Sequence, residues 1–256
     1  MATYKKRGYK PKTKVEKQEA IEDGSATAEV FNTLDETASK TEAWAEKNQK
    51  AILTVVGAIA VVIVGIILVQ KFWMEPKNVE AANEMYLSQS YYERAVNATA
   101  TEKDSLFNLA LNGTAGKYGF LDIVDNYGST AAGNQARYYA GMSYLNMKNY
   151  QEAINHLDAY SADDEITGPL AKGAIGDAFV QLDQQEEALK YYVQAATMKN
   201  NEITTPRFLL KAGVIAMNLG KSADALSYFS RITEEFKDSA EFSRAQVYQG
   251  QAEAMN

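Results

Sequence analysis

NYQEAINHL (residues 149–157), QQEEALKYY (184–192) and KSADALSYF (221–229) share one layout. Each carries alanine at its fifth position, Ala153, Ala188 and Ala225, at separations of 35 and 37 residues. Twelve residues before each alanine stands a glycine, Gly141, Gly176 and Gly213, followed three positions later by Tyr144, Phe179 or Ala216. The second half of the chain is rich in Ala, Leu, Glu, Lys, Gln and Tyr, a composition that favours helix. A recurrent glycine and alanine at one offset predicts pairs of antiparallel helices that cross closely. Glycine on one helix is expected to face alanine on the other, with Leu157, Tyr192 and Phe229 filling the space nearby. One such hairpin cannot bury its apolar face alone, so successive hairpins must stack.

These segments resemble tetratricopeptide repeats (TPR), which prefer Leu-Gly at their seventh and eighth positions, Tyr at the eleventh and Ala at the twentieth. The corresponding residues are Ala140-Gly141, Tyr144 and Ala153; then Ile175-Gly176, Phe179 and Ala188; then Ala212-Gly213, Ala216 and Ala225. The early tryptophan of the motif is missing and the repeat-terminal prolines are shifted. The repeats are expected near 134–168, 169–205 and 206–238, with a degenerate first repeat over 78–133 and a capping helix over 239–255. The glycine-rich stretch 112–119 reads as a flexible connector. Gly113, Gly116 and Gly119 make no phosphate loop, since no G-K-[ST] follows and no strand precedes.

Working towards the N-terminus, AILTVVGAIAVVIVGIILV (51–69) contains only Thr54 as a polar residue. A bilayer core is roughly 30 Å thick and takes about 20 apolar helical residues. The run starts too late and is too long for a cleaved signal sequence, and Phe72-Trp73 fits an interfacial aromatic belt. The expected fold is therefore all-α, one transmembrane helix (46–73) followed by a TPR-type α-solenoid (74–256) of about 3–4 hairpins. Residues 31–50 read as helical, with Thr33 or Asp35 as the cap and Phe31, Leu34, Ala38, Trp44 and Ala45 as an apolar stripe.

Residues 1–50 carry a net charge of +1 and the remainder −8, within a total of −7. Lysines and Arg7 crowd Lys5–Lys17; residues 1–30 read as polar and disordered, within a basic tail (1–45) that includes a short helix. The excess of positive charge predicts a cytoplasmic N-terminus and an exported C-terminal domain. The basic tail is read as a solvated topology signal, with contact to anionic lipid or the ribosome as the alternative. No other nucleic-acid contact is expected.

Catalytic chemistry finds little to work with. There is no cysteine and one histidine, His156, which reads as a surface or packing residue. That excludes cysteine nucleophiles and zinc sites of the usual spacing. Asp163-Asp164 and Glu234-Glu235 read as solvated loop and cap charges. We expect no enzyme and no cofactor. What remains is a binding surface. By repeat position the groove takes Tyr138, Met142 and Leu145 from the first clear repeat, Asp177 and Val180 from the second, and Leu210, Val214 and Met217 from the third. Tyr138 and Met142 stand where the TPR carboxylate clamp has Lys and Asn, which argues against an acidic C-terminal peptide as ligand. In the span, Thr54, Gly57, Ala58 and Gly65 fall within about 100° of one another, a small-residue face on which a partner helix can pack.

The layout also resembles the bacterial YfgM-like proteins, ancillary subunits of the Sec translocon. The stretch carrying the resemblance is Glu46-Lys-Asn-Gln-Lys-Ala51, the apolar run, Phe72-Trp73, then Ala81-Ala82 and Tyr91. The resemblance implies an adaptor in protein export that joins translocon subunits to a periplasmic folding factor or to emerging chains. The 45-residue N-terminal extension is longer than that family suggests. The alternative is a TPR scaffold for another cell-envelope assembly or secretion complex.

Overall fold

The computed structural model describes the backbone of residues 26–162 and 164–255, with side chains at residue 42 and from residue 44 onward. The Lys5–Lys17 stretch and Asp163 lie outside the described residues, as do the side chains of Phe31, Leu34 and Ala38. The chain divides into two units, one ending at Val69 and one beginning at Gln70.

The described part of the first unit is one helix, α1 (Ala26–Val69). It starts ahead of Thr33 and Asp35, so neither stands at its N-terminus, contrary to the sequence-based expectation. Every residue from Ala51 to Val69 is exposed. Over this run the helix bonds its own backbone and leaves a surface that is apolar apart from Thr54 uncovered, as a helix in lipid requires. It is long and apolar enough to cross a membrane.

The second unit opens on a π-helical turn (Gln70–Met74) holding Phe72 and Trp73, both exposed. Next come α2 (Glu75–Asn97), α3 (Ala100–Asn112) and the short α4 (Phe120–Tyr127). The following helices pair: α5 (Ala131–Asn146) with α6 (Tyr150–Asp158), α7 (Thr167–Gln181) with α8 (Gln185–Met198), and α9 (Thr204–Asn218) with α10 (Ser222–Glu235). The last helix, α11 (Phe242–Ala254), packs on α10 and α9. Among the described residues there is no strand beyond one isolated bridge.

Within the α2–α5 layer an aromatic cluster supplies the core. Tyr92 meets Phe107, Phe120 and Tyr139 edge-on at 5.7, 6.3 and 5.0 Å, and Phe120 stacks on Tyr139 at 5.3 Å. Phe107 and Phe120 are fully buried, worth about 1.5–3 kcal/mol each. The stretch 112–119, expected as a flexible connector, is instead a tight hydrogen-bonded turn. Thr114 and Lys117 exchange backbone bonds of 3.2 and 2.8 Å, and the Ser88 hydroxyl donates to the Tyr118 carbonyl at 2.7 Å. Gly113 sits at φ +74°, and a Cβ there would fall 2.6 Å from the Gly119 nitrogen.

The three clear hairpins confirm close crossing and correct its chemistry. The glycine does not face the alanine; it faces the large residue one turn further along the second helix. A Cβ built on Gly141 would lie 2.5 Å from Leu157 Cγ, one on Gly176 2.6 Å from Tyr192 Cε1, and one on Gly213 2.5 Å from Phe229 Cζ. Each glycine is a socket and each large side chain its plug. Ala153, Ala188 and Ala225 are fully buried beside them.

The turns between paired helices repeat as well. Seven residues after each glycine the backbone turns left-handed, at Lys148 (φ 62°), Asp183 (φ 59°) and Gly220 (φ 71°). In each, the next residue's N–H reaches back five positions: Asn149 to Tyr144, Gln184 to Phe179 and Lys221 to Ala216, at 2.9, 2.9 and 2.8 Å. These bonds satisfy carbonyls left open at the helix end. Only Gly220 adopts this conformation without cost. Lys148→Gly is therefore expected to stabilise the protein by about 0.5–1 kcal/mol, the left-handed penalty less the flexibility glycine adds to the unfolded chain. A rise in the denaturant midpoint would register it, and a fall would contradict it.

Candidate protein-binding cleft

The first helices of the three hairpins, α5, α7 and α9, carry the residues expected to line a groove. Tyr138, Met142 and Leu145 are half-buried and pack against the core formed by Ile154, Leu157 and Ile175. Val180, Val214 and Met217 are half-buried against the next core, and Leu210, 3% exposed, belongs largely to it.

Two depressions open on this side. The first, a cleft of about 390 Å³, is walled by α7, α9 and α11. Val180, Leu210, Val214 and Ile215 form its floor, with Tyr192 and Tyr248 at its sides and Arg207, Lys211, Glu241 and Arg244 around it. The second joins Leu145, Asp177 and Val180 with Asn146, Lys148 and Tyr150. The structure thus brings together Val180, Leu210 and Val214 in one depression and Leu145, Asp177 and Val180 in the other. Tyr138, Met142 and Met217 line neither.

Tyr192 borders both depressions. Its hydroxyl donates to Asp177 Oδ1 at 2.5 Å, and Lys211 Nζ donates to the same oxygen at 2.5 Å. The ammonium also lies 5.4 Å from the centre of the Tyr192 ring. Burial pushes the Tyr192 phenol well above its ordinary value, and the Asp177 charge and hydrogen bond push it further. The phenol therefore stays protonated and keeps its donor role at any physiological pH. Three successive helices, α7, α8 and α9, are tied together at one carboxylate.

Sequence reasoning missed the cations of the cleft. By repeat position the carboxylate clamp falls at Tyr138 and Met142, which supply no charge. Arg207, Leu210, Lys211 and Val214 follow i, i+3, i+4, i+7 spacing and share one face of α9, a signal present in the sequence. Arg244 and Glu241 come from the capping region, outside the repeat positions that define the groove.

His156 stacks on Tyr144, ring centres 5.5 Å apart, and burial lowers its pKa, so the ring is neutral near pH 7. Asp164 accepts from the Ile166 and Thr167 N–H groups at 2.8 and 2.6 Å and from the Thr167 hydroxyl, which hold its carboxyl below the usual range. Glu235 pairs with Arg231 at 3.0 Å. Among the described residues, no three His, Cys, Asp or Glu side chains gather as a metal site would need.

On α1, Thr54, Gly57, Ala58 and Gly65 are all exposed. The Thr54 hydroxyl donates back to the Lys50 carbonyl at 2.8 Å, which removes its cost in an apolar surround. A Cβ on Gly57 or Gly65 would meet nothing within 4 Å, so the face is open.

Family models described as tetratricopeptide repeat match residues 135–163, 171–202 and 208–239. These intervals overlie the three socketed hairpins. The chain carries tetratricopeptide repeats. No curated protein matches it. Both depressions open on the side formed by α5, α7 and α9, the first helices of the three matched hairpins. The described residues are all-α, with matches to tetratricopeptide repeats over three stretches and one helix long and apolar enough to cross a membrane; such repeats indicate an adaptor role in protein interaction.

Proposed function

We propose that this chain is a membrane-anchored adaptor in protein export, held by α1 in a bacterial inner membrane with its repeats in the periplasm. The helix docks beside the Sec translocon, and the repeat unit holds a periplasmic folding factor or an emerging chain close to the exit. The observation that supports this most is the pairing, in one chain, of an exposed run, Ala51–Val69, apolar but for Thr54, with a repeat stack that leaves two depressions open on the side of α5, α7 and α9. The charge difference between the N-terminal 50 residues and the remainder supports the orientation. The order of basic tail, span and repeat domain supports the link to export.

Crosslinkers placed at Gly57 and Gly65, read out by mass spectrometry, test the partner. Translocon subunits together with a membrane-anchored folding factor are the expected products; absence of both leaves a scaffold for another envelope assembly. Replacing both glycines by leucine is expected to cut recovery of the membrane partner severalfold, because a close helix approach needs a smooth face. Unchanged recovery removes the packing face from the proposal. Resistance of residues 75–256 to external protease in spheroplasts would reverse the orientation.

A further inference from the structure

We propose that the cleft between α7, α9 and α11 takes a protein segment in which carboxylate side chains flank large apolar ones. This deepens the adaptor reading and rests on it.

The floor of Val180, Leu210, Val214 and Ile215 suits one or two aliphatic or aromatic side chains, and about 390 Å³ is room for them. The charges around it are unequal. Lys211 is neutralised by Asp177. Arg207 and Arg244 line the same cleft, and neither forms an ion pair among the described residues. Arg207 lies over the ring of its neighbour Phe208, at 6.0 Å. The one carboxylate in the lining is Glu241.

Two guanidiniums without ion-pair partners beside a low-dielectric wall form a seat for carboxylates, since a guanidinium offers paired donors that match a carboxylate's two oxygens. The contrast with the rest of the chain sharpens the inference. Residues 51–256 carry a net charge of −8, so most of this domain repels acidic segments. The cleft is where that repulsion is locally reversed. A basic segment would meet Arg207 and Arg244 and lose affinity, and a purely apolar one would leave both cations with no charge partner. The specificity is thus written in charge, and the affinity in the apolar floor.

The test uses the full chain in phosphatidylcholine nanodiscs and three dye-labelled peptides, GSELFEGS, GSQLFQGS and GSKLFKGS, followed by fluorescence anisotropy. The glutamate peptide is expected to bind about tenfold more tightly than the glutamine peptide, as two partly exposed charge pairs allow, and the lysine peptide most weakly. Raising salt should narrow the gap. Arg207→Glu combined with Arg244→Glu should invert the order of the glutamate and lysine peptides. Both positions are exposed, and an unchanged helical circular dichroism melt confirms that the variant folds. Equal binding of the glutamate and glutamine peptides, an order that survives charge reversal, or no binding by any peptide overturns the proposal. If the cleft fails while crosslinking in membranes still captures partners, the adaptor reading stands; if crosslinking captures none, that reading falls independently.

Discussion

Replacing Ile59 and Ile63 by aspartate is expected to release the protein from membranes into the soluble fraction. Both residues lie near the middle of the apolar run and both are exposed, at 54% and 50%. An aspartate at the centre of a spanning helix costs about 2.5–3.5 kcal/mol, so two cost about 5–7 kcal/mol and shift the partition by roughly four orders of magnitude. Ordinary substitutions on a solvated helix would change almost nothing, which gives the experiment its contrast. Alkaline carbonate extraction followed by flotation reads the result. A double variant that stays embedded would show that Ala51–Val69 is not the anchor.

Alanine at two glycines of the repeat unit should act in opposite directions. Gly250 lies on the exposed face of α11, and a Cβ there meets nothing within 4 Å. Gly250→Ala should therefore stabilise by about 0.5–1 kcal/mol, the usual helix gain. At Gly213 the added methyl collides with the Phe229 ring, which is fully buried and stacked at 5.5 Å on Tyr248. The ring cannot swing aside, and overpacking of this kind costs about 1–3 kcal/mol, which exceeds the helix gain. Gly213→Ala should thus lower the thermal midpoint by several degrees. Phe229→Leu alone should also destabilise, yet combined with Gly213→Ala it should lose less than the sum. A double-mutant cycle measures that coupling, and simple additivity would dismiss the socket.

The socket illustrates how far the sequence could be read. Gly141, Gly176 and Gly213 at a fixed distance from Ala153, Ala188 and Ala225 announced paired helices, because only close crossing explains such regularity. The partner was misassigned for a geometric reason. Side chains on a helix lean towards its N-terminus, so Leu157, Tyr192 and Phe229 reach back over the turn that holds the alanines. The alanines are buried on the same face, but the long side chains reach the glycines. The left-handed turns escaped notice because Lys148 and Asp183 are not residues that advertise such a conformation; only Gly220 does.

Charge placement was harder to read than packing. Arg207 and Lys211 were visible as one face of α9, but Arg244 joins them only after α11 folds back on α9 and α10, and no local pattern encodes that approach. The same holds for Asp177, placed in the groove by repeat position. Its role in binding Tyr192 and Lys211 depends on contacts across three helices.

The plug and its socket are separated by sixteen residues in every hairpin, from Gly141 to Leu157, Gly176 to Tyr192 and Gly213 to Phe229. That distance has a kinetic consequence. Contacts so near in sequence cost little loop entropy, and chains dominated by them fold fast. Each hairpin can close as soon as its own residues are free, and then serve as the template for the next. A domain built this way can assemble in order, from the first hairpin to the last, while the rest of its chain is still being synthesised.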